Sequence, residues 1–490
     1  MARIFYLSAL LLLGAFPLEA QRPQDPQRPY PYAEEVLFFD NPRAPGVRLA
    51  ATLTMPRGEG PFAAAVLVSR SGQQDRNEAL EGHRPFLVLA DYLTRRGLAV
   101  LRYDDRGSFQ STGDFINATT EDLATDALAA VEYLAARPEI DPGRVGVIGH
   151  SEGGLVAPMV AVQSEAVAFI VLLAGPGMVG EELMYLQQSL LLASLGADEA
   201  SVAFVQARTE RFYAVLKTEN DRGLAEAAIR RIWDEYLDGE IVPENIDDAD
   251  KARVLAELAA LSDADKAQIT RANLPPLLRE LNRPWWPFFL AYDPRPTLSR
   301  VRVPVLAING DKDLQVPAAP NLEGIAAALE EGGNPDFQTV SLPGLNHLFQ
   351  TAETGAIEEY AQIEETFAPE ALELVGDWVA ARTAAPTAVF ESRQDGLPAA
   401  FLLGQNHPNP FNGQTLIPFA LAEAGPVELA LYNGLGQRVA TLASGWRGAG
   451  NYSLHWDGRD DAGRALASGL YHYRLRTRDQ MQTRQLLMLR

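Results

Sequence analysis

Ser151 stands inside Gly149-His150-Ser151-Glu152-Gly153, with the β-branched run 145–148 entering it and an alanine-rich helical pattern leaving it. In a strand-turn-helix setting, G-x-S-x-G is a mechanical arrangement: the glycines permit a sharp turn, and the strained turn lifts a serine hydroxyl above the sheet. The same residues also spell a glycine-rich turn with an N-cap serine, so the assignment depends on whether the rest of the chain supplies a base and an acid. A serine hydroxyl is a poor nucleophile until a histidine takes its proton, and that histidine needs a carboxylate to hold its tautomer and stabilise its cation.

Six histidines are present, and only His83, His150 and His347 precede residue 384. His150 adjoins Ser151 with its ring expected to point away from the hydroxyl, and His83 comes before the serine. Partners in this topology follow in the order serine, acid, histidine, which leaves His347 as the base. The acid should end the preceding sheet strand, where residues 309–317 offer Asp311 and Asp313. Asp313 is preferred, because Asp311 directly follows Gly310 in the turn and can satisfy its own backbone. An oxyanion hole needs two amides, assigned to Glu152, just after the nucleophile, and Gln73, in the loop after the third strand. Ser69 and Ser71 are rival hydroxyls that read better as turn caps. Asp104, Asp105 and Arg106 read as a structural brace through an arginine-carboxylate pair, Asp114 as a turn acid and Asp126 as a solvated helix acid. Asn117-Ala118-Thr119 spells a glycosylation sequon.

The elements that must position these residues alternate. Residues 35–40 and 47–55 read as two edge strands, and 62–68 as a strand covered on both faces. Helix 85–96, strand 98–103, helix 120–136, the strand into the turn at 145–148 and strand 167–173 follow. Alternating strand and helix with short links implies a doubly wound, mostly parallel sheet with helices on both sides. From about 178 to 298 the pattern is helical and charged with no sheet strand, which reads as a cap over the site. Its cluster Pro284-Trp-Trp-Pro-Phe-Phe289 reads as cap core before substrate contact. Strands 303–309 and 337–342 and helices 321–331 and 369–382 complete this part. A linker spans 384–395, and 396–490 has the short alternating strands of an all-β sandwich, for example 427–432 and 470–475.

With 490 residues the chain exceeds one ordinary core, and a net charge of −22 excludes a phosphate-tracking surface and hence nucleic acid as a partner. The charge is uneven: from Glu391 onward ten Arg stand against eight acidic residues, a balance of +2 that leaves −24 on the remainder. There is no cysteine, which removes disulfides, thiol nucleophiles and zinc-thiolate sites. The acidic insertion lacks histidines and shows no EF-hand spacing, so no metal and no cofactor is expected. Arg3 followed by the apolar run 4–16 and a small residue at Ala20 has the form of a secretory signal peptide over 1–20, too short for a permanent transmembrane span. Residues 21–32, rich in Pro and Gln, read as an extended leader to a domain spanning 33–383.

Taken together, Gly149-His-Ser-Glu-Gly-Gly154, Leu101-Arg-Tyr-Asp-Asp-Arg-Gly107, Gly310-Asp-Lys-Asp-Leu-Gln-Val-Pro317 and Leu345-Asn-His-Leu-Phe-Gln350 resemble a bacterial serine hydrolase of the α/β-hydrolase superfamily, of the esterase or serine aminopeptidase-like kind. That resemblance implies Ser151, Asp313 and His347 as nucleophile, acid and base, with a carboxylic ester as first substrate class, a peptide or amide as second, and no cofactor. The chain departs from it at Ser71-Gly72, where His-Gly is frequent, and at Phe109, which replaces a glycine and is expected to narrow the pocket mouth. The tail from about 396 resembles C-terminal sorting domains of type IX secretion, themselves like the immunoglobulin-like domain of a flagellar hook-capping protein. The segments that carry this are Gln405–Asn412, Leu431–Val439, Trp456-Asp-Gly458 and Ser468–Tyr471. It implies export through the periplasm to the cell surface or medium, with secretion machinery as partner. The reading from another class is a surface binding protein on an inactive hydrolase scaffold.

Overall fold

The computed structural model describes residues 22–383 apart from 59, and 401–489 apart from 413, 414, 424, 448, 462 and 463. The expected signal peptide and linker lie outside the described residues. The chain divides into two compact units, Met1–Val379 and Ala380–Arg490.

The first unit is built on strands β1 (Ala33–Asp40), β2 (Arg48–Met55), β3 (Phe62–Val68), β4 (Ala99–Tyr103), β5 (Ile140–His150), β6 (Val167–Leu173), β7 (Val305–Gly310) and β8 (Phe337–Leu342), in the sheet order β1-β2-β4-β3-β5-β6-β7-β8. β1, β2 and β4 pair antiparallel, and every pair from β4 to β8 is parallel. β3 shows why its apolar run is unbroken. Ala64, Val66 and Val68 pack on one face with helices α2 (Thr120–Ala135), α3 (Gly153–Ala161) and α11 (Ala318–Glu331), while Ala63, Ala65 and Leu67 pack on the other with α1 (Pro85–Arg95) and α12 (Pro369–Thr383). β2 is not an edge strand as its sequence suggested: it lies between β1 and β4, with Leu49, Ala50, Ala51 and Leu53 fully buried. β2 is buried at every position from Leu49 to Thr54, and its pairing on both sides makes it internal.

The chain runs from β3 to β4 on one side and returns to β5 on the other. That reversal is a topological switch point, and it opens a crevice at the carboxyl ends of β3 and β5 where ligands bind in such sheets.

Between β6 and β7 lie helices α4 (Gly180–Ser194), α5 (Glu199–Thr218), α6 (Arg222–Leu237), α7 (Asp248–Ala259), α8 (Asp263–Leu281), α9 (Trp285–Ala291) and α10 (Arg295–Leu298). Some of the insertion's polar residues are helix caps: Asp198, Asp221, Asp247 and Ser262 accept the first-turn amides of Ser201, Leu224, Asp250 and Asp265, each contributing about 1 kcal/mol. The insertion has its own core, including Phe204, Trp233, Trp286 and Phe289, and this core reaches Leu155 beside the serine turn and Val316 beside the acid.

Two sequence expectations need correction. Residues 22–32 are not an extended leader: Arg22 donates to the carbonyls of Glu81, Ala361 and Ile363, and the Gln24 side chain both donates to Phe367 O and accepts the amides of Thr366 and Phe367. Asp126 is not solvated: it is 1% exposed and receives Arg106 Nε at 2.6 Å, Arg106 Nη2 at 2.9 Å and Asn41 Nδ2 at 2.6 Å. Asp126→Ala would strand the buried Arg106 guanidinium, and we expect a loss of about 3–5 kcal/mol in urea unfolding.

In the second unit, the antiparallel sheets β13-β10-β9 and β12-β11-β14-β15 pack face to face. Strands β9 (Leu402–Leu403), β10 (Thr415–Leu421) and β13 (Gly450–Trp456) form one, and β11 (Gly425–Tyr432), β12 (Arg438–Arg447), β14 (Gly469–Arg476) and β15 (Met481–Met488) the other. Leu429, Leu431, Leu454, Trp456 and Tyr473 are fully buried between them.

Candidate active site

Ser151 follows the last residue of β5 with a φ of +53°, a left-handed conformation that costs a non-glycine residue on the order of 1–3 kcal/mol. The flanking glycines are needed for space and not for their own dihedrals. A Cβ on Gly153 would sit 2.2 Å from Val68 O at the end of β3, and one on Gly149 would sit 1.9 Å from Gly153 O. The strain therefore falls on the serine itself, whose N–H donates to Leu173 O at 2.8 Å. Among the described residues the Ser151 hydroxyl makes no protein hydrogen bond, and the residue is 8% exposed.

The loops after β7 and β8 are in direct contact, since a Cβ on Gly310 would lie 2.0 Å from Leu345 O. In that contact His347 Nδ1 donates to Asp313 Oδ2 at 2.7 Å, both side chains being buried. Asp313 Oδ1 accepts the amides of Gln315 at 2.7 Å and Val316 at 2.8 Å, which fixes which oxygen faces the histidine. Asp311 instead accepts the Gly344 amide at 2.7 Å and so braces the base loop. Burial pushes the His347 imidazole below the usual histidine range. Asp313 opposes that shift, and His150 and Arg70 add to it. His83 is elsewhere, buried between Thr366 Oγ1 and Tyr360 O.

The loop after β3 is pinned from below. Asp105 accepts the Ser69 hydroxyl and the Gln74 amide, each at 2.8 Å, and burial holds its carboxyl well above the usual range. Ser69 is thus a tether, and the Ser71 backbone carbonyl accepts Gln74 Nε2. Among the described residues the amides of Gln73 and Glu152 donate to no protein acceptor, while the neighbouring Gln74 amide is spent on Asp105. Two free N–H groups flank the crevice, and Gly153 against Val68 brings their segments together. Asp104 belongs to a separate pair with Arg76 at 2.7 Å, so the expected brace around residues 104–106 exists but draws on partners distant in sequence.

Three functional contacts were not legible in the sequence. Glu78, buried with a φ of +57°, accepts His150 Nδ1 at 2.9 Å and the Arg70 amide at 2.8 Å. His150 Nε2 reaches the His347 carbonyl at 2.9 Å, tying the serine turn to the base loop. The Glu152 side chain turns toward the insertion, where Oε1 accepts Thr120 Oγ1 and Trp285 Nε1, each at 2.6 Å. Burial pushes its carboxyl up from the usual range. Trp285 stacks on Phe289 with ring centroids 4.4 Å apart, so the aromatic cluster is both insertion core and its attachment to the turn. Phe109, expected to narrow a pocket mouth, is 59% exposed at a φ of +49° and faces solvent. Among the described residues there is no group of three His, Asp or Glu placed to hold a metal ion.

A doubly wound sheet, a strained serine at the carboxyl end of β5 and a histidine-aspartate hydrogen bond beyond the ends of β7 and β8 define a chain of the α/β-hydrolase fold. Residues 45–323 match the X-Pro dipeptidyl-peptidase (S15 family) model, and the chain belongs to that family. Residues 408–480 match the FlgD Ig-like domain model. The chain is similar to Esterase EstD of Thermotoga maritima, 37% identical over 150 residues that make up 30% of this chain and 36% of EstD. It is also similar to an uncharacterised protein of Mycobacterium tuberculosis, 34% identical over 125 residues, 26% of this chain and 41% of the relative. The matched stretches thus span about two fifths or less of these curated relatives. Among solved structures, an esterase of Pyrococcus furiosus overlays at a TM-score of 0.40 with 15% identity, covering 74% of this chain and 98% of the esterase. The sheet order itself, and not that overlay, defines the fold.

Proposed function

We propose that this chain is a secreted serine hydrolase that cleaves carboxylic esters through an acyl-enzyme on Ser151. The observation that carries the reading is the buried His347–Asp313 hydrogen bond, set in the loop that His150 ties to the serine turn. In this mechanism His347 Nε2 takes the Ser151 proton as Oγ attacks the carbonyl, and the amides of Gln73 and Glu152 receive the developing oxyanion. His347 then protonates the leaving alcohol, and water, deprotonated by the same nitrogen, releases the acid. The helical insertion acts as the cap that excludes water and shapes the pocket, held to the turn through Trp285 and Glu152.

EstD supports the ester as first substrate class, by the likeness of 150 residues. The family description supports a second reading, cleavage of a peptide by the same parts. A panel of p-nitrophenyl esters and aminoacyl anilides separates them: turnover confined to anilides would overturn the ester assignment. Failure of a fluorophosphonate probe to label Ser151 in folded protein would overturn both and favour a binding protein.

For the tail, the supporting features are the FlgD Ig-like match and the apolar run near the N-terminus, with the sandwich serving as an export address. No helix among the described residues is long and apolar enough to cross a membrane. Deleting residues 396–490 should leave kcat/KM within about two-fold, because the unit boundary lies near residue 380, and should strand the enzyme in the periplasm. Normal secretion of the shortened chain would refute the address.

A further inference from the structure

The helical insertion carries a buried positive charge that no acid meets. Arg208, on α5, is 3% exposed, and around its guanidinium stand the rings of Phe212 on the same helix and of Trp233 and Tyr236 on α6, with centroids 5.5, 5.0 and 4.6 Å from Cζ. The spacing builds this cage: residues 208 and 212 are neighbours on one face of α5, as 233 and 236 are on α6, so two helix faces close on one side chain. Arginine keeps its proton in proteins, and burial here therefore encloses a cation, although desolvation pushes the group below the usual arginine range. The π faces offset part of that charge. They supply no strong acceptor for the five N–H groups of a guanidinium.

Among the described residues the Arg208 side chain makes no hydrogen bond and no ion pair, and the Tyr213 and Tyr236 hydroxyls, the two phenols within electrostatic reach of it, have no hydrogen-bond partner either. Both tyrosines are buried, and burial pushes both phenols up, so they remain O–H donors. Of these polar atoms only Arg208 Nε is wholly sealed; Nη1, Nη2 and the two hydroxyls each keep a small opening. The acid that faces Tyr213 is already engaged: Glu181 accepts Lys217 Nζ at 2.6 Å and the Tyr185 hydroxyl at 3.2 Å, and no carboxylate of the described residues acts on Arg208. A buried cation and two buried hydroxyls without acceptors are costly to hold, and the chain supplies nothing that offsets them.

We propose that Arg208, Tyr213 and Tyr236 form a binding site in the insertion for a carboxylate with an apolar body. Such an anion accepts paired N–H bonds from Nη1 and Nη2 and an O–H bond from a phenol, while its apolar part packs on the rings. Sulfate or phosphate fits this cage less well, because each brings more charge and more firmly held water among aromatic faces. The site stands whether or not Ser151 is a nucleophile. It is joined to the serine turn by an aromatic chain: Tyr213 stacks on Trp286 at 6.1 Å, Trp286 meets Trp285 edge-on at 5.1 Å, and Trp285 donates to Glu152.

The test is calorimetric titration of the full chain at fixed ionic strength with benzoate and with benzamide, its neutral counterpart of the same shape. The parent should bind benzoate at least about ten-fold more tightly, the margin that charge-assisted hydrogen bonds give. Equal affinity for the two probes, or binding of neither, would overturn the proposal, and displacement of benzoate by an equal concentration of sulfate would overturn the carboxylate class. Arg208→Met fills the cage with an apolar chain and should erase the preference. A preference that persisted in the folded variant would put the anion elsewhere, as against the free amides near Ser151, and would overturn the site. Tyr213→Phe and Tyr236→Phe keep both rings and so decide the matter even where the methionine variant does not fold: each should weaken benzoate on the order of ten-fold, and unchanged affinity in both would overturn the assignment.

Discussion

Ser151→Ala is expected to lower kcat for ester hydrolysis on the order of 10⁴- to 10⁶-fold and to abolish fluorophosphonate labelling, with the thermal unfolding midpoint unchanged. The separation of activity from stability follows from the local structure. Both residues carry a Cβ, so the left-handed conformation at +53° is no more strained for alanine than for serine. The amide that donates to Leu173 O is retained, and the hydroxyl has no protein hydrogen bond to lose among the described residues. The residual rate over water would come from the two free amides and from substrate positioning. Native-rate hydrolysis by this variant would remove Ser151 from the mechanism, whatever the fold.

Asp313→Asn should have a comparable effect, on the order of 10⁴-fold in kcat, for a reason particular to this loop. Asp313 Oδ1 is held by the amides of Gln315 and Val316, both donors, so the amide oxygen of an asparagine must take that place. Its NH₂ is then turned toward His347 Nδ1, which can only accept from it, and the imidazole proton moves to Nε2. A base protonated on the nitrogen that faces the serine cannot take the serine's proton. The loop itself keeps its hydrogen bonds, so the variant should fold. If it retained more than about a tenth of parental kcat, the acid role would have to be reassigned. Asp311 is a poor replacement, because its carboxylate is engaged by the Gly344 amide.

The contrast between the two aspartates shows how much of the site could be read in advance. Spacing and strand order alone singled out residues 151, 313 and 347, because a serine, an acid and a histidine at successive strand ends are distinctive in a chain with three candidate histidines. Asp311 does bind backbone, but that of the base loop 33 residues away and not its own turn. Asp126 and residues 22–32 differ from their sequence expectation for a common cause. Polar residues on a helix or in a Pro-rich stretch look solvated until a distant partner closes over them, here Arg106 and the 361–367 segment.

The amino-acid sequence by itself determined the elements. Unbroken apolar runs demand strands buried on both faces, and 3.6-residue spacing with acid or serine caps demands helices. Glycines placed where backbones must approach demand the turn at 151. These are properties of neighbours along the chain. Tertiary structure decided what lies between elements: that Glu78, His150 and the carbonyl of His347 meet, that Glu152 and Trp285 join the turn to the insertion, and that Arg106 finds Asp126. Hydrogen bonds and buried charges are short-ranged and directional, and partners such as His150 and His347 stand 197 residues apart, so no local pattern encodes them.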